Sequence, residues 1–279
     1  MTWRGLLRAV AGQVGAQDAR RILERASGTA GAGWVLVLDE PVPERAIGFV
    51  AGMVERRTAG EPLQYVVARW GFRQLDLLVD RRVLIPRPET EQVVEEALAE
   101  LRRLGRRSPM VADLGTGSGA IALSMALEAG AAVWATDVSE DALAVARANL
   151  AGLGGRAATR VRLESGSWYG ALPPVLRGRL HLVISNPPYV AEHEVADLDP
   201  EVARWEPRLA LVPGPTGLEA IEEIVSGAPA WLDEAGLLVV ETAPWQAAEA
   251  VTLAEAAGFS RAEVRLDLAG RPRTLVATL

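Results

Sequence analysis

A glycine-rich stretch near the middle of the chain constrains its fold most strongly. Asp113-Leu114-Gly115-Thr116-Gly117-Ser118-Gly119 follows a short apolar run, Met110 to Ala112, and precedes a helical pattern from Ala120 to Ala129. Glycines permit a tight turn, and the start of the helix offers unpaired backbone N–H groups to a ligand. The stretch therefore predicts a strand, a ligand-binding loop and a helix in succession.

The chain around this loop alternates between strand and helix patterns. Helices are predicted from Glu89 to Leu104 and from a Ser139 cap to Leu150. Further strands are predicted at four apolar runs, which are Ala132 to Ala135, Val161 to Leu163, Leu182 to Ile184 and Leu237 to Val240. The tail alternates like an antiparallel pair over 262–268 and 274–278. This order predicts an α/β fold, a doubly wound parallel sheet with an antiparallel edge.

The earlier part of the chain has a different pattern. Residues 1–63 predict short helices, with apolar residues at helical spacing from Ala19 to Ala26 and a stop at Gly28. Residues 64–84 carry three apolar runs, Tyr65 to Val67, Leu75 to Val79 and Val83 to Leu84, which predict extended pairs. We therefore expect a helical domain at 1–63, a β-hairpin connector at 64–84 and the sheet domain at 85–279.

Composition excludes several kinds of chemistry. The 279 residues contain no cysteine, no lysine and two histidines, so thiol nucleophiles, Schiff bases and three-histidine zinc sites are excluded, and no metal site is expected. The net charge of -7 argues against general binding to a nucleic-acid backbone. Residues 1–10 carry Arg4 and Arg8 but no long apolar run, and no stretch of about 18 apolar residues occurs in the chain, so we expect a cytoplasmic protein without a signal peptide or membrane segment.

Two acids and an aromatic residue sharpen the prediction for the loop. Asp113 ends the first strand and suits a cationic group, such as the amino end of S-adenosylmethionine, whereas it would repel a pyrophosphate. Asp137 ends the second strand and can accept both ribose hydroxyls of a nucleoside, although a helix-capping role before Ser139 is the alternative. Trp168 can stack on adenine or pack in the core. With Ala120 the loop also satisfies the dinucleotide pattern, so a nicotinamide-dependent oxidoreductase is an alternative, which Asp113 disfavours.

Asn186-Pro187-Pro188-Tyr189 follows the predicted strand that ends near Ile184. It therefore lies where parallel sheets bind substrates. The Asn186 side-chain carbonyl and the Pro187 backbone carbonyl can accept two hydrogen bonds from a planar –NH2 group, and Tyr189 can stack on it. Such contacts orient a poorly nucleophilic nitrogen for methyl transfer. A plain turn is the alternative. Glu241, which ends a later strand, is predicted to be structural.

At this point the chain resembles the release factor glutamine methyltransferases, the PrmC/HemK family, which are class I S-adenosylmethionine-dependent methyltransferases. The resemblance covers nearly the whole chain. It includes Gly60 to Tyr65, Val83 to Glu91, the glycine loop with Asp137, the Asn-Pro-Pro-Tyr motif, and Glu206 to Leu211. Two positions depart from the family pattern, because Ala68 stands where the family usually has glycine and Ser167 where it usually has an acid.

The resemblance implies a seven-stranded Rossmann-like methyltransferase sheet and a helical domain that binds class I peptide chain release factors. The acceptor is then the side-chain amide of the glutamine in that factor's Gly-Gly-Gln loop. The implied cofactor residues are Gly115, Gly117, Gly119, Asp137, Trp168 and Asn186, with Asp113, Thr116 and Ser118 beside them. Asn186 to Tyr189 would hold the amide, and Arg87, Glu89 and Thr90 would lie on the substrate side.

Two further alternatives concern function. A DNA or RNA amino-methyltransferase would use the same Asn-Pro-Pro-Tyr motif, because adenine and cytosine also carry a planar –NH2 group. The acidic net charge and the lack of a long basic arm disfavour it, and no direct nucleic-acid substrate is expected. A catalytically inactive binding module is the other alternative, and the intact motifs disfavour it.

Overall fold

The structure is a computed structural model that describes all 279 residues, apart from the side chain of Arg156. The chain forms two compact units. One comprises Met1–Arg69 together with Pro200–Trp205, and the other comprises Trp70–Asp199 together with Glu206–Leu279. Within the described residues, no helix combines the length and the apolar composition that a membrane crossing requires.

The first unit is helical. Its helices are α1 (Trp3–Val14), α2 (Ala16–Ser27), α3 (Ala32–Val37), α4 (Glu44–Thr58), α5 (Leu63–Val67) and, from the later segment, α10 (Pro200–Trp205). Trp3 and Trp34 meet edge to face in its core, with ring centroids 5.8 Å apart. Arg57 on α4 donates to Asp18 and to Glu201, each at 2.6 Å, and so ties α10 into this unit.

The predicted hairpin connector is present but shorter than the sequence suggests. Strands β1 (Trp70–Phe72) and β2 (Leu75–Leu77) pair antiparallel. The expectation that Tyr65 to Val67 are extended is wrong, because they lie in helix α5, which begins after Pro62 and ends at Ala68 in the left-handed region. A short apolar run has no period that distinguishes a strand from one helical turn. Val83 and Leu84 also lie outside the strands that the described residues form.

The second unit is built on a seven-stranded sheet, as expected. Its strands are β3 (Met110–Leu114), β4 (Ala132–Asp137), β5 (Val161–Ser165), β6 (Leu180–Ser185), β7 (Leu232–Glu241), β8 (Arg261–Leu266) and β9 (Pro272–Thr278). They lie in the order β5-β4-β3-β6-β7-β9-β8. The first five are parallel, while β9 runs antiparallel to both β7 and β8.

Helices cover this sheet as the alternating pattern predicts. They are α6 (Pro88–Arg103), α7 (Ala120–Glu128), α8 (Glu140–Leu153), α9 (Gly155–Ala158), α11 (Glu219–Gly227) and α12 (Ala247–Ala256). Pro88 opens α6, where its missing N–H costs nothing, and the Ser139 side chain caps α8 by accepting the Ala142 N–H at 3.2 Å. The sheet core includes the fully buried residues Val183 and Leu238.

The strand order fixes where a ligand can bind. The chain runs outward from β3 to β4 and β5, and then crosses back to β6 on the other side of β3. Connections after β3 and after β6 therefore diverge at the carboxyl ends of these strands and leave a crevice there. The glycine loop follows β3, Asp137 ends β4, and Asn186 follows β6, so all three sequence motifs meet at this crevice.

Candidate active site

The glycine loop joins β3 to α7 and lies against the end of β4. The backbone N–H groups of Gly115 and Thr116 both donate to the carbonyl of Thr136 at 2.9 Å. Gly115, Gly117 and Gly119 have positive φ angles of 73°, 56° and 84°. Residues with a Cβ rarely adopt this conformation, so the three glycines allow the loop to make its turn.

Asp137 holds the same loop through its carboxylate. Its Oδ2 accepts the Gly117 N–H and its Oδ1 accepts the Ser139 N–H, each at 2.9 Å. Burial raises the pKa of this carboxyl, while the backbone donors lower it. A carboxylate oxygen has room for more than one hydrogen bond. Both predicted roles therefore fit the geometry, since Asp137 binds backbone at the turn and keeps acceptor capacity toward a nucleoside diol.

Asp113 is fully buried where β3 ends. Its Oδ2 accepts from the Thr116 hydroxyl at 2.6 Å and from the Ala122 N–H at 3.0 Å. Its Oδ1 has no hydrogen-bond partner among the described residues. Burial raises the pKa of this carboxyl to about 7, and the nearby charge of Asp137 adds a smaller increase. A carboxyl with one unpaired buried oxygen is suited to a cationic neighbour, which would favour its ionised form.

Trp168 begins a short 3-10 turn after β5 and has a positive φ of 41°. Its ring packs on the glycine loop so closely that a Cβ on Gly115 would lie 3.1 Å from Cζ3. Tyr169 anchors the turn by donating its hydroxyl to the Ile224 carbonyl at 2.6 Å and by stacking on Trp231. A bulky residue at positive φ is held in that conformation by its surroundings, which often mark a ligand site.

Asn186 follows β6 directly. The end of this strand is fixed by Ser185, whose hydroxyl donates to the Leu114 carbonyl at 2.6 Å. The Asn186 amino group, Nδ2, donates to the Thr90 hydroxyl at 3.0 Å. Its carbonyl oxygen, Oδ1, is buried and has no partner among the described residues. Because a buried carbonyl without a donor is unfavourable, this oxygen marks a place where an external N–H group can bind.

Glu241 is a functional candidate for which the sequence predicts only a structural role. It ends β7 and is 1% exposed. Its Oε2 accepts from the Thr90 hydroxyl at 2.6 Å, and its Oε1 accepts from the Tyr189 hydroxyl at 3.4 Å. Burial raises its pKa to about 7. Its position at the end of a parallel strand was the available signal, because such positions border the ligand crevice.

Arg87 and Glu89 are engaged in ion pairs. Arg87 donates to Glu206 at 2.5 Å, and Glu206 is 7% exposed. Burial raises the pKa of Glu206, while Arg87 lowers it. Glu89 pairs with Arg271 at 3.2 Å. These contacts account for both charges within the fold, so the predicted role of Arg87 and Glu89 toward a substrate stays a prediction.

A cavity of about 430 Å³ opens over the glycine loop. This volume lies within the range of about 300–1,000 Å³ that is usual for small-molecule sites. Of the predicted site residues, its walls include Thr90, Gly115, Thr116, Gly117, Ser118, Asp137, Trp168, Asn186 and Pro188. Among the described residues, the predicted ones that do not line it are Arg87, Glu89, Asp113, Gly119, Pro187 and Tyr189.

The rest of the cavity wall is mostly apolar and was not predicted residue by residue. It includes Leu84 and Pro86 from the segment before α6, and Pro207, Leu209 and Val212 from the segment after α10. All of these except Val212 belong to the stretches that carry the family resemblance, Val83 to Glu91 and Glu206 to Leu211. These motifs therefore indicate that the two segments belong to the site, but they do not indicate which of their side chains face the cavity.

Solved structures support the fold. A methyltransferase from Pyrococcus furiosus aligns with a TM-score of 0.53 at 17% identity, covering 74% of this chain and 89% of that one. The hMettl16 catalytic domain aligns with a TM-score of 0.56 at 14% identity, covering 84% of this chain and 81% of that one. At these identities the similarity concerns the fold alone.

Sequence comparisons reach further. The PrmC N-terminal domain family matches residues 3–67, and the methyltransferase small domain family matches residues 95–201. Release factor glutamine methyltransferases from Cereibacter sphaeroides and Burkholderia pseudomallei are 42% and 44% identical, covering 95% and 92% of this chain and 91% and 90% of their own lengths. The relative of the same name from Bordetella pertussis is 43% identical over 92% of each chain. The chain belongs to the release factor glutamine methyltransferase family.

Proposed function

We propose that this protein methylates the side-chain amide nitrogen of the glutamine in the Gly-Gly-Gln loop of class I peptide chain release factors. The observation that carries the proposal is the Asn186 amide, whose amino end is bound to Thr90 and whose buried carbonyl oxygen is unpaired among the described residues. Family membership supplies the substrate, since 42–44% identical relatives are named release factor glutamine methyltransferases. The enzyme is an S-adenosylmethionine-dependent methyltransferase.

The residues of the cavity fit this cofactor. Asp137 offers carboxylate oxygens for the ribose hydroxyls, and Trp168 offers an aromatic face for adenine on the wall beside Gly115. Asp113 does not line the cavity, but it lies at the start of the glycine loop, and its unpaired Oδ1 offers a negative charge to the cationic amino-acid part. We infer that the glycine loop, with Thr116 and Ser118, holds the cofactor between these groups. When bound there, S-adenosylmethionine supplies an electrophilic methyl group on a positively charged sulfur.

The chain's contribution to the reaction is to orient and stabilise the acceptor nitrogen. An amide lone pair is delocalised into the carbonyl, so it must be turned toward the methyl group. Two accepted hydrogen bonds, at the Asn186 carbonyl oxygen and at the Pro187 backbone carbonyl, fix both N–H groups of the acceptor. They also stabilise the positive charge that develops on nitrogen. Attachment of the methyl group leaves a positive charge on the nitrogen, and in this cationic state the nitrogen loses one of its two protons readily, so no strong base is required.

The helical unit is proposed to bind the release factor. It exposes apolar side chains on two helices, including Leu36, which is 81% exposed, and Phe49, which is 51% exposed. Exposed apolar groups of this kind suit the surface of a protein partner. A small-molecule acceptor would need no such unit, and the net charge of -7 disfavours a nucleic-acid backbone.

The test is a methylation assay on unmodified class I release factor, with tandem mass spectrometry of the loop peptide. The expected product carries one methyl group on the loop glutamine. A factor in which this glutamine is replaced by alanine serves as the control and should stay unmodified. DNA and RNA oligonucleotides are assayed in parallel with a labelled cofactor. The proposal would be overturned if an oligonucleotide were methylated as fast as the release factor, or if the release factor stayed unmodified.

A further inference from the structure

We propose that Thr90 and Glu241 form a positioning pair that makes Asn186 present its carbonyl oxygen, and not its amino group, to the acceptor amide. This inference rests on the proposed function. It gives a positioning role to Thr90, which the family resemblance places on the substrate side, and it adds Glu241. Neither residue needs to touch the reacting nitrogen. They act through the side chain that does.

The direction of the hydrogen bonds follows from the chemistry of the three side chains. The Thr90 hydroxyl has one hydrogen, and its oxygen lies 2.6 Å from Glu241 Oε2. An ionised carboxylate only accepts, so the threonine hydrogen points at Glu241. Thr90 then faces Asn186 with a lone pair, and the group at 3.0 Å from it must be the N–H donor of the amide. The carbonyl oxygen of Asn186 is thereby directed away from Thr90.

The opposite orientation would disable the site. An amino group in place of Oδ1 would face the –NH2 of the acceptor, so that two donors met and neither bonded. An asparagine amide can turn over by rotation about its last bond, since its two ends have nearly the same shape. A device that fixes the orientation therefore decides whether the substrate nitrogen is bound at all.

The fold brings the three residues together from three separate elements. Thr90 lies in the first turn of α6, Asn186 follows β6, and Glu241 ends β7. Strands β6 and β7 pair in parallel, with Ser185 opposite Val240. Asn186 and Glu241 are the next residues in this register, so the sheet itself sets them side by side. Thr90 bridges them from the helix.

The ionisation of Glu241 controls the direction of the two hydrogen bonds that link Glu241, Thr90 and Asn186. Its carboxyl is buried, which raises the pKa to about 7. The charged and titratable groups that face it are Tyr189, which donates to Oε1, the cation Arg273 on β9, which lowers the pKa, and Glu89 on α6, which raises it. A protonated Glu241 can donate to Thr90, which then has a hydrogen free for the Asn186 carbonyl. Protonation thus removes the constraint that holds the amide in its productive orientation.

The test compares the full-length variants T90V, T90S and E241Q in release-factor methylation. T90V removes the hydroxyl that links Asn186 to Glu241, while the side-chain volume stays nearly constant. It should lower kcat/KM by roughly 10- to 100-fold, the range known for groups that orient metal ligands. T90S keeps the hydroxyl and should restore most of the activity. We expect wild-type activity to fall as the pH drops through about 7, where Glu241 becomes protonated, and E241Q, which cannot ionise, should lack this acidic limb. T242V, at a threonine that is also buried, is the matched control and should stay active.

Circular dichroism and S-adenosylmethionine affinity establish that each variant is folded. An inactive wild type would count against the proposed function itself. If the wild type is active, the positioning pair is overturned by a folded T90V with wild-type kcat/KM, by a T90S as impaired as T90V, or by an E241Q that keeps the acidic limb. The positioning pair is supported if T90V loses activity, T90S keeps most of it, and the pH profile of E241Q lacks the acidic limb.

Discussion

The carboxylate of Asp137 accepts the backbone N–H of Gly117 at 2.9 Å, and this bond joins the end of β4 to the glycine loop. The residue that is proposed to bind the ribose therefore also holds the glycine loop in place. Asp137 can reach the loop because the loop lies against the end of β4, where the N–H groups of Gly115 and Thr116 also bind the Thr136 carbonyl.

Replacing Asp137 should weaken cofactor binding. We expect the binding free energy of S-adenosylmethionine to weaken by roughly 1.5–3 kcal/mol in D137A, which is the contribution of hydrogen bonds to a charged group. D137N keeps one carbonyl acceptor for a backbone N–H and should lose less. Calorimetric titration with S-adenosylmethionine measures both variants. An affinity for D137A equal to that of the wild type would show that Asp137 does not bind the cofactor.

Asp113 should make the stability of the ligand-free protein depend on pH. Its pKa is raised by burial from 3.8 to about 7, so the folded protein holds this proton more tightly than the unfolded chain does. Its contribution to stability is complete below pH 3.8 and declines as the pH rises through about 7. Since D113N cannot ionise, its melting temperature should rise relative to the wild type between pH 5 and pH 8.

Thermal melts of both proteins at the two pH values, without cofactor, provide this measurement. Comparing the two proteins at each pH removes the effect of all other titrating groups on the melting temperature, because both proteins contain these groups. A difference in melting temperature that is the same at pH 5 and pH 8 would show that Asp113 does not change its ionisation in this interval.

Charges placed on the helical unit should impair recognition of the intact release factor. L36D and F49D put a carboxylate at exposed apolar positions and should raise KM for the factor roughly 10-fold, as loss of an interface contact worth above 1 kcal/mol would. Methylation of a short peptide that contains the Gly-Gly-Gln loop should not change. L268D is the matched control, because Leu268 is 94% exposed on the sheet-containing unit. Unchanged KM in both variants would show that neither Leu36 nor Phe49 contacts the release factor.

The sheet and its ligand crevice could be predicted because their signals are local. The strand before Gly115 and the strand before Asn186 are apolar runs bounded by turn residues, and each motif occupies the end of its strand. Tyr65 to Val67 could not be assigned correctly, since Pro62 and Ala68 bound a single helical turn whose composition equally suits a strand.

The site was predicted less completely for a different reason. Asn186 is recognised by its motif, but Glu241 has no motif, and its proposed role depends on Thr90, which is 151 residues away in the chain. Burial of its carboxylate, which raises its pKa, is a property of the assembled sheet. A sequence pattern indicates which residues lie at the ends of strands. Tertiary packing decides which of their side chains contact one another.

The most direct test of the account is the rate of methyl transfer catalysed by N186A. The variant removes the carbonyl oxygen that is proposed to bind the acceptor amide, so we expect single-turnover transfer to release factor to slow by roughly 100- to 1000-fold, the usual effect of losing one preorganised partner. Its affinity for S-adenosylmethionine should fall much less. A folded N186A that binds cofactor and transfers the methyl group at the wild-type rate would show that the Asn186 carbonyl oxygen does not bind the acceptor amide.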